Sequence, residues 1–389
     1  MTTRHQPIVL VLIDWFDPAY KAGGPIRSCV NFVNHLHPYC HLRVITSDHD
    51  LGTTQPLPGI SRGQWMDYQG KAFVWYATRA QRNSFRIATL IRSVKADLVY
   101  LNGLYSFLFT LLPIFLKATR LISGTLLLAP RGMLKKSALS FKAQKKQLFL
   151  RAFQFFGLQQ HVLFQATDEQ ERKDILAIFP NAKVVLLPNL SGPTGAPLQP
   201  IQKQKGYLSI FFLGRIHPIK NLLLVLQAIT AVKGNIDFTI IGPMEDESYW
   251  KECKQQIGQM DERIQVHYKG ELHHDLLVNE IGQHHMLVLP SQGENFGHSI
   301  FESLALGRPV LISDQTPWKQ LQQANAGWDL PLSGKDLFTD ALQKATDWDQ
   351  QEFDAFSQGA WTLAQRHVQA DQVKNEYLKL VNGYVHTGH

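Results

Sequence analysis

At 389 residues, 44% apolar and 18% charged, the chain has material for two ordinary globular domains, which excludes the disordered and fibrous classes. The formal charge of +7 favours an anionic partner, whether nucleotide, nucleic acid or acidic membrane surface. Three scattered cysteines, Cys29, Cys40 and Cys253, exclude a disulfide framework and a cysteine zinc site, and they fit a reducing cytoplasm.

Ile8–Ile13 is a continuous apolar run, as a parallel strand buried on both faces requires. Asp14 follows directly, which makes the amino-terminal stretch a poor signal peptide. The loop Asp14–Pro25 leads to an amphipathic helix over about Ile26–His37, and Leu42–Thr46 is predicted as the second strand. Asp48–Gly70, rich in Gly and Pro and weakly patterned, reads as an irregular excursion. Strands predicted at Ala72–Tyr76, Leu98–Leu101, Thr125–Ala129 and Val162–Gln165 alternate with helical segments, and Val184–Leu187 closes this half. Phe107–Leu116 is apolar but far too short to cross a bilayer. From Pro188 to Gly206 the periodicity vanishes, as in a linker. Alternation resumes with strands at Leu208–Leu213, Phe238–Ile241 and Ile264–His267, and with helices from Asn221, about Tyr249 and about Leu276. This predicts an α/β chain of two Rossmann-like, doubly wound parallel-sheet domains, residues 1–190 and 207–361, with a helical segment over 362–389.

The most informative stretch is Met286–Ser313, MLVLPSQGENFGHSIFESLALGRPVLIS. A buried strand, Met286–Pro290, runs into the polar loop Ser291–His298. A short helix, Ile300–Leu306, is stopped by Gly307 and Pro309, and Val310–Ser313 returns as a strand. The loop lies at a strand's carboxyl end, where open α/β sheets bind ligands. Glu294 and Glu302 flank an uncharged, glycine-containing segment whose backbone N–H groups can meet an anion. Ser299-x-x-Glu302 is equally a capping box that needs no ligand.

Phe211–Lys220, FFLGRIHPIK, places Gly214 at a strand end with Arg215 and Lys220 five positions apart. Two cations over one anionic group could stabilise charge growing on a diphosphate leaving group; solvated residues at a loop rim are the alternative. Ala22–Arg27, AGGPIR, offers Gly23 and Gly24 for close backbone approach, or simply a tight turn before a helix. It is not the dinucleotide fingerprint, so NAD is not implied.

Glu294-x7-Glu302 within ENFGHSIFESLALGRPV, behind a strand ending Pro-Ser, resembles the signature of the GT-B nucleotide-sugar glycosyltransferases of retaining family 4. FFLGRIHPIK resembles that family's Gly-Arg-x4-Lys element, and AGGPIR its Gly-Gly loop. The resemblance spans both halves. It implies a GT-B fold, two Rossmann-like domains facing a cleft, and a final helix crossing back to the first domain. It implies a nucleotide-diphosphate sugar as donor substrate and retention at the anomeric carbon; no cofactor or metal is expected. Carried over by residue, Glu302 accepts from the donor ribose hydroxyls and Glu294 binds hydroxyls of the transferred sugar. Arg215 and Lys220 hold the diphosphate. The Asn295, Phe296, Gly297 and His298 backbone meets sugar and distal phosphate, while Gly23, Gly24 and Gly214 line the donor phosphates. Gly242 and the Gly270–Leu272 turn are weaker candidates for the wall around the base; ordinary strand-end turns explain them as well.

On the acceptor side, Asp14, Asn102, Tyr105 and Arg131 follow predicted strands at their ligand-facing ends. LNGLYS and LAPRGM resemble loops of exopolysaccharide-type members, which implies a glycan or lipid-linked acceptor in polysaccharide or lipopolysaccharide assembly. Many such relatives carry a histidine near the position of Arg131, and none stands there.

Lys135–Phe156 interleaves Lys135, Lys136, Lys142, Lys145, Lys146 and Arg151 with apolar residues at helical spacing. It reads as a helix on an anionic membrane surface at the cytoplasmic face, or as a surface helix packing on its own sheet. Asp48-His49-Asp50 has the Asp-x-Asp form of metal-dependent enzymes but reads as a solvated loop away from the donor elements. His273-His274 and His284-His285 lack metal-ligand spacing. Other readings are a GT-B epimerase or hydrolase, a non-catalytic nucleotide-sugar binder, and nucleic-acid binding, which charge alone suggests and no aromatic-basic motif supports.

Overall fold

A computed structural model describes residues 6–135, 138–139, 143–192, 201–368 and 371–385. The chain divides into two compact units, residues 1–190 with 370–389, and residues 191–369. Lys136, Lys142 and the middle of the expected linker fall outside the described residues.

The first unit holds β1 (Ile8–Leu12), α1 (Gly24–Leu36), β2 (His41–Ser47), β3 (Met66–Tyr68), β4 (Ala72–Ala77), α2 (Ser84–Val94) and β5 (Leu98–Asn102). A π-helical turn, Phe107–Leu111, opens α3 (Leu112–Ala118); β6 (Thr125–Ala129), α4 (Ala143–Phe155), β7 (Leu163–Ala166), α5 (Glu169–Ile178) and β8 (Lys183–Leu186) follow. The sheet order is β3-β4-β2-β1-β5-β6-β7-β8, parallel except for the β3–β4 pair. The excursion over 48–70 is therefore less irregular than its pattern suggests, since β3 lies inside it.

Continuous apolar strands form because both sheet faces are covered. Leu10, Leu12, Val99, Leu101, Leu126 and Leu128 face a layer containing α2, α3 and α4. Val9, Val11, Val44 and Val74 face α1 and a helix from the far end of the sequence, Asp371–Val385. Tyr377 of that helix is buried; its hydroxyl accepts from Gln165 Nε2 at 2.7 Å and donates to the Pro188 carbonyl at 3.1 Å. The pattern over Thr362–Tyr384 thus straddles two helices, one ending at Val368 in the second unit and one beginning at Asp371 in the first.

The second unit runs β9 (Tyr207–Leu213), α6 (Leu222–Ala231), β10 (Asn235–Ile241), α7 (Glu247–Ile257), β11 (Ile264–Gly270), α8 (His274–Gly282) and β12 (Met286–Leu289). After these come α9 (His298–Ala305), β13 (Val310–Ser313), β14 (Gly327–Leu330), α10 (Lys335–Asp347) and α11 (Gln350–Val368); the Asp371–Val385 helix is α12. The six strands, all parallel, order as β11-β10-β9-β12-β13-β14.

Beneath the amino end of β12, His284 and His285 are core side chains. His285 Nδ1 accepts from Ser209 N at 2.9 Å and its Nε2–H donates to the Gln202 carbonyl at 3.0 Å, which fixes the neutral tautomer. Burial pushes His285 down to about 4 and lowers His284 as well. The unfolded ring takes its proton near 6.5, the folded ring near 4. Between those values the unfolded chain binds more protons, so stability is lost as pH falls through that window. The expected slope is roughly 1.4 kcal/mol per pH unit from His285 alone. Urea unfolding across the window, on the parent and on His285→Gln, checks this. An equal slope in the variant would assign the effect to other groups.

Candidate functional site

In an open parallel sheet, ligands sit where neighbouring strands send their connections to opposite sides. In the second unit this reversal falls between β9 and β12, and two loops leave those strands' carboxyl ends. The first carries Gly214, Arg215 and Lys220, the second Glu294–Gly297.

The two loops are tied together by backbone. Gln292 N donates to the Ile219 carbonyl at 2.7 Å and Ser291 Oγ to the same oxygen at 3.2 Å. A 3-10 turn, Pro218–Lys220, and a left-handed Asn221 (φ 57°) then aim the Lys220 side chain at the second loop. Its Nζ meets Glu294 Oε1 at 2.5 Å, with only 15% and 11% of the two side chains exposed. Arg215, by contrast, pairs with Glu245 near solvent. The structure thus brings Lys220 to Glu294 and sends the Arg215 guanidinium elsewhere.

Helix α9 begins on Gly297, whose φ of +77° places it in the left-handed region, and no side chain caps the helix. The capping-box expectation for Ser299 and Glu302 is corrected: glycine takes the cap position, so Ser299 lies inside the first turn and Glu302 one turn on. An uncapped amino end leaves backbone N–H groups able to meet an anion. Phe296 beneath it is buried; Trp318 Nε1 donates to its carbonyl at 2.7 Å, and its ring packs with those of His298, Phe301, Trp318 and His367. Trp318 and His367 escaped the sequence reading because nothing local marks them as partners of residues so distant.

Gly242 has φ +139°, and a Cβ there would stand 2.1 Å from the Gly214 carbonyl oxygen. Gly214 N donates to Ile241 O at 3.0 Å and Gly242 N to Gly270 O at 2.8 Å, so glycine lets three strand ends close up under the Arg215–Lys220 loop. Leu272 packs against the hydrophobic core.

In the first unit the reversal lies between β1 and β5. Ser106 Oγ donates to Asp14 Oδ1 at 3.0 Å across it. Burial raises the Asp14 carboxyl above its ordinary range, opposed by that hydrogen bond and the nearby Arg82. Trp15 Nε1, Thr46 Oγ1, Ser47 Oγ and the Tyr105 hydroxyl are buried near these strand ends without a partner among the described residues. Burial pushes Tyr105 up to about 12. Such unsatisfied groups are costly and call for an explanation. Gly23, at φ +64°, caps α1, and Gly24 is its first residue.

Asn102 and Arg131 are occupied by the protein itself. Arg131 donates to Asn102 Oδ1 at 2.8 Å, to the Tyr100 hydroxyl at 2.6 Å and to Asn189. Asp48, His49 and Asp50 are not the solvated loop their polarity suggests. Asp48 and Asp50 are buried, and the Asp50 carboxylate accepts from Tyr20 N at 2.9 Å and Leu51 N at 2.7 Å. It holds the loop between β1 and α1, while His49 accepts from Arg82 at 2.9 Å. The sequence marked Asp50 only as part of an Asp-x-Asp pattern and gave no sign that it would bind backbone some thirty positions away.

Residues 198–328 match the Glycosyl transferases group 1 family model. That stretch lies inside the second unit and contains both loops of the switch point. Over the whole chain, solved glycosyltransferase structures share the architecture. Anabaena Alr3699/HepE in complex with UDP and glucose aligns over 97% of this chain and 100% of its own, at 14% identity and TM-score 0.66. Sucrose-phosphate synthase from Thermosynechococcus elongatus aligns over 98% and 100%, at 15% identity and TM-score 0.72. WaaG, a glycosyltransferase involved in lipopolysaccharide biosynthesis, aligns over 96% and 100%, at 13% identity and TM-score 0.64. The fold is GT-B. No curated protein sequence matches the chain.

Proposed function

We propose that the chain is a retaining glycosyltransferase that moves a sugar from a nucleotide-diphosphate sugar to a glycan or lipid-linked glycan acceptor in cell-surface polysaccharide assembly. The observation that carries this reading is the Lys220–Glu294 pair, held at the switch point of a glycosyl transferases group 1 domain. Lys220 and Arg215 would stabilise the diphosphate as its charge grows, Arg215 first leaving Glu245. Glu294 would hold the transferred sugar, Glu302 the ribose, and the amino end of α9 the distal phosphate. The bond from the anomeric carbon to the phosphate oxygen breaks as the bond to the acceptor oxygen forms. The departing phosphate takes the acceptor proton, so neither base nor metal is needed.

On the acceptor side, the geometry favours Asp14 and Tyr105 as contacts. Asn102 and Arg131 would shape the loops around them. Because HepE was solved with UDP and glucose, UDP heads the donor trials.

The test is a thermal-shift screen with UDP, GDP, ADP and TDP and their sugars, without and with Mg2+. One nucleotide should raise the melting temperature equally in both conditions; at a hundredfold excess over Kd the stabilisation is about 2.7 kcal/mol. The matching sugar nucleotide should then be consumed faster when acceptor is added. Consumption that no acceptor accelerates would give the epimerase or hydrolase reading. A folded protein that no nucleotide stabilises would overturn the donor site.

A further inference from the structure

The outer side of one helix layer in the first unit has no assigned role. Helices α2, α3 and α4 turn Ile87, Ile91, Ile114, Leu150 and Phe153 inward onto the sheet. The same segment of chain turns Phe85, Phe107, Phe115, Leu148, Phe155 and Phe156 outward, each between 58% and 84% exposed. Single exposed apolar side chains are ordinary; six large ones on or directly beside the helices of one layer are not. On α4 the outward stripe is Leu148, Ala152 and Phe155, spaced as one helical face, with Lys145 and Arg151 exposed beside it.

The charge is as one-sided as the apolarity. From Leu98 to Thr167 the sequence has nine Lys or Arg and no Asp or Glu, so the surplus of the whole chain, +7, is concentrated here. Arg86, Arg92 and Arg120 are exposed on or beside the same helices. A second copy of this face would set like charges against one another. A nucleic acid would satisfy the cations and leave the protruding phenylalanines without an apolar partner. An anionic bilayer satisfies both: headgroup phosphates meet the cations, and the acyl boundary takes the rings. No helix among the described residues is long and apolar enough to cross a membrane, so the contact would be peripheral.

We propose that the outer face of α2, α3 and α4 docks the protein on an anionic phospholipid bilayer. Only α4 lies in the basic stretch that reads as membrane-seeking from sequence; the other two helices and most of the exposed rings are the structure's addition. The proposal stands independently of the enzymatic reading.

The experiment is co-sedimentation of the full chain with vesicles of phosphatidylcholine alone and of phosphatidylcholine with phosphatidylglycerol in equal parts. Binding is expected to the mixed vesicles, little to the neutral ones, and weakening with salt. L148S/F155S/F156S, all at exposed positions, should bind at least about tenfold more weakly. K145Q/R151Q should lose about fivefold per cation removed. Unchanged melting temperatures would show both variants folded. Equal binding to neutral vesicles, or wild-type binding by both variants, overturns the proposal. So does RNA binding without vesicle binding, or a concentration-dependent dimer abolished by the apolar variant, which would assign the face to those partners instead.

Discussion

Replacing Glu294 by Gln is expected, on the proposed reading, to lower the rate of sugar transfer by about a hundred- to a thousandfold, the cost of losing one preorganised charge at a reacting centre. The same change should reduce stability by roughly 1–3 kcal/mol, because it leaves the Lys220 ammonium in a largely enclosed site without its carboxylate. The two effects separate in a double variant. Lys220→Met with Glu294→Gln removes the unpaired cation, so stability should return while activity does not. Lys220→Ala alone should lower kcat more than it raises the donor Kd if, as proposed, it meets the leaving phosphate and that contact strengthens as charge develops. Transfer assays with urea unfolding on all three variants read both effects. Glu294→Gln at near wild-type activity would remove Glu294 from the site. Recovery of activity with stability would reduce the pair to a structural strut.

Gly242→Ala should be a damaging single methyl in the second unit. The left-handed backbone there strains any other residue, and the new Cβ would be driven into the Gly214 carbonyl, which is backbone and cannot swing aside. A cost of roughly 2–4 kcal/mol is expected, the range for a steric clash compounded by an unfavourable φ. Because Gly214 begins the loop that carries Arg215 and Lys220, any nucleotide stabilisation should fall with it. Urea unfolding and the thermal-shift response measure the two consequences together. Less than about 0.5 kcal/mol lost, the range of an ordinary surface change, with an intact nucleotide response would show that these strand ends can part cheaply.

The parallel strands were legible because their signal is local: short apolar runs at Ile8 and Met286, and one at Leu208 broken only by Ser209, each bounded by a polar loop, favour strands buried on both faces. The order of those strands was not legible, yet it makes the β9–β12 and β1–β5 ends special. Glu294 and Lys220 were both identified from motifs, but that they touch each other depends on a 3-10 turn and a left-handed Asn221 that spacing does not encode. Arg215 was read as its twin, and Glu245, thirty positions on, gives it a different partner. The capping box at Ser299 and Glu302 failed for a simple reason: a glycine can hold the left-handed cap position, and Gly297 was there first. Asp48, His49 and Asp50 show the opposite error. Polar residues in a loop look solvated until the backbone groups they bind are in view, and Asp50 binds some thirty positions away.

Helix α12 packs into the same core as β1, with Tyr377 sealed between Phe32 and the Gln165 side chain. During vectorial synthesis on the ribosome, that core therefore cannot be completed until the whole of residues 191–369 has been made. The middle unit, continuous in sequence, can fold as it emerges, whereas the first must wait with Tyr100 and Gln165 short of a partner. The assembly order is thus the reverse of the reading order, since α12, made after residues 191–369, closes a unit begun before them.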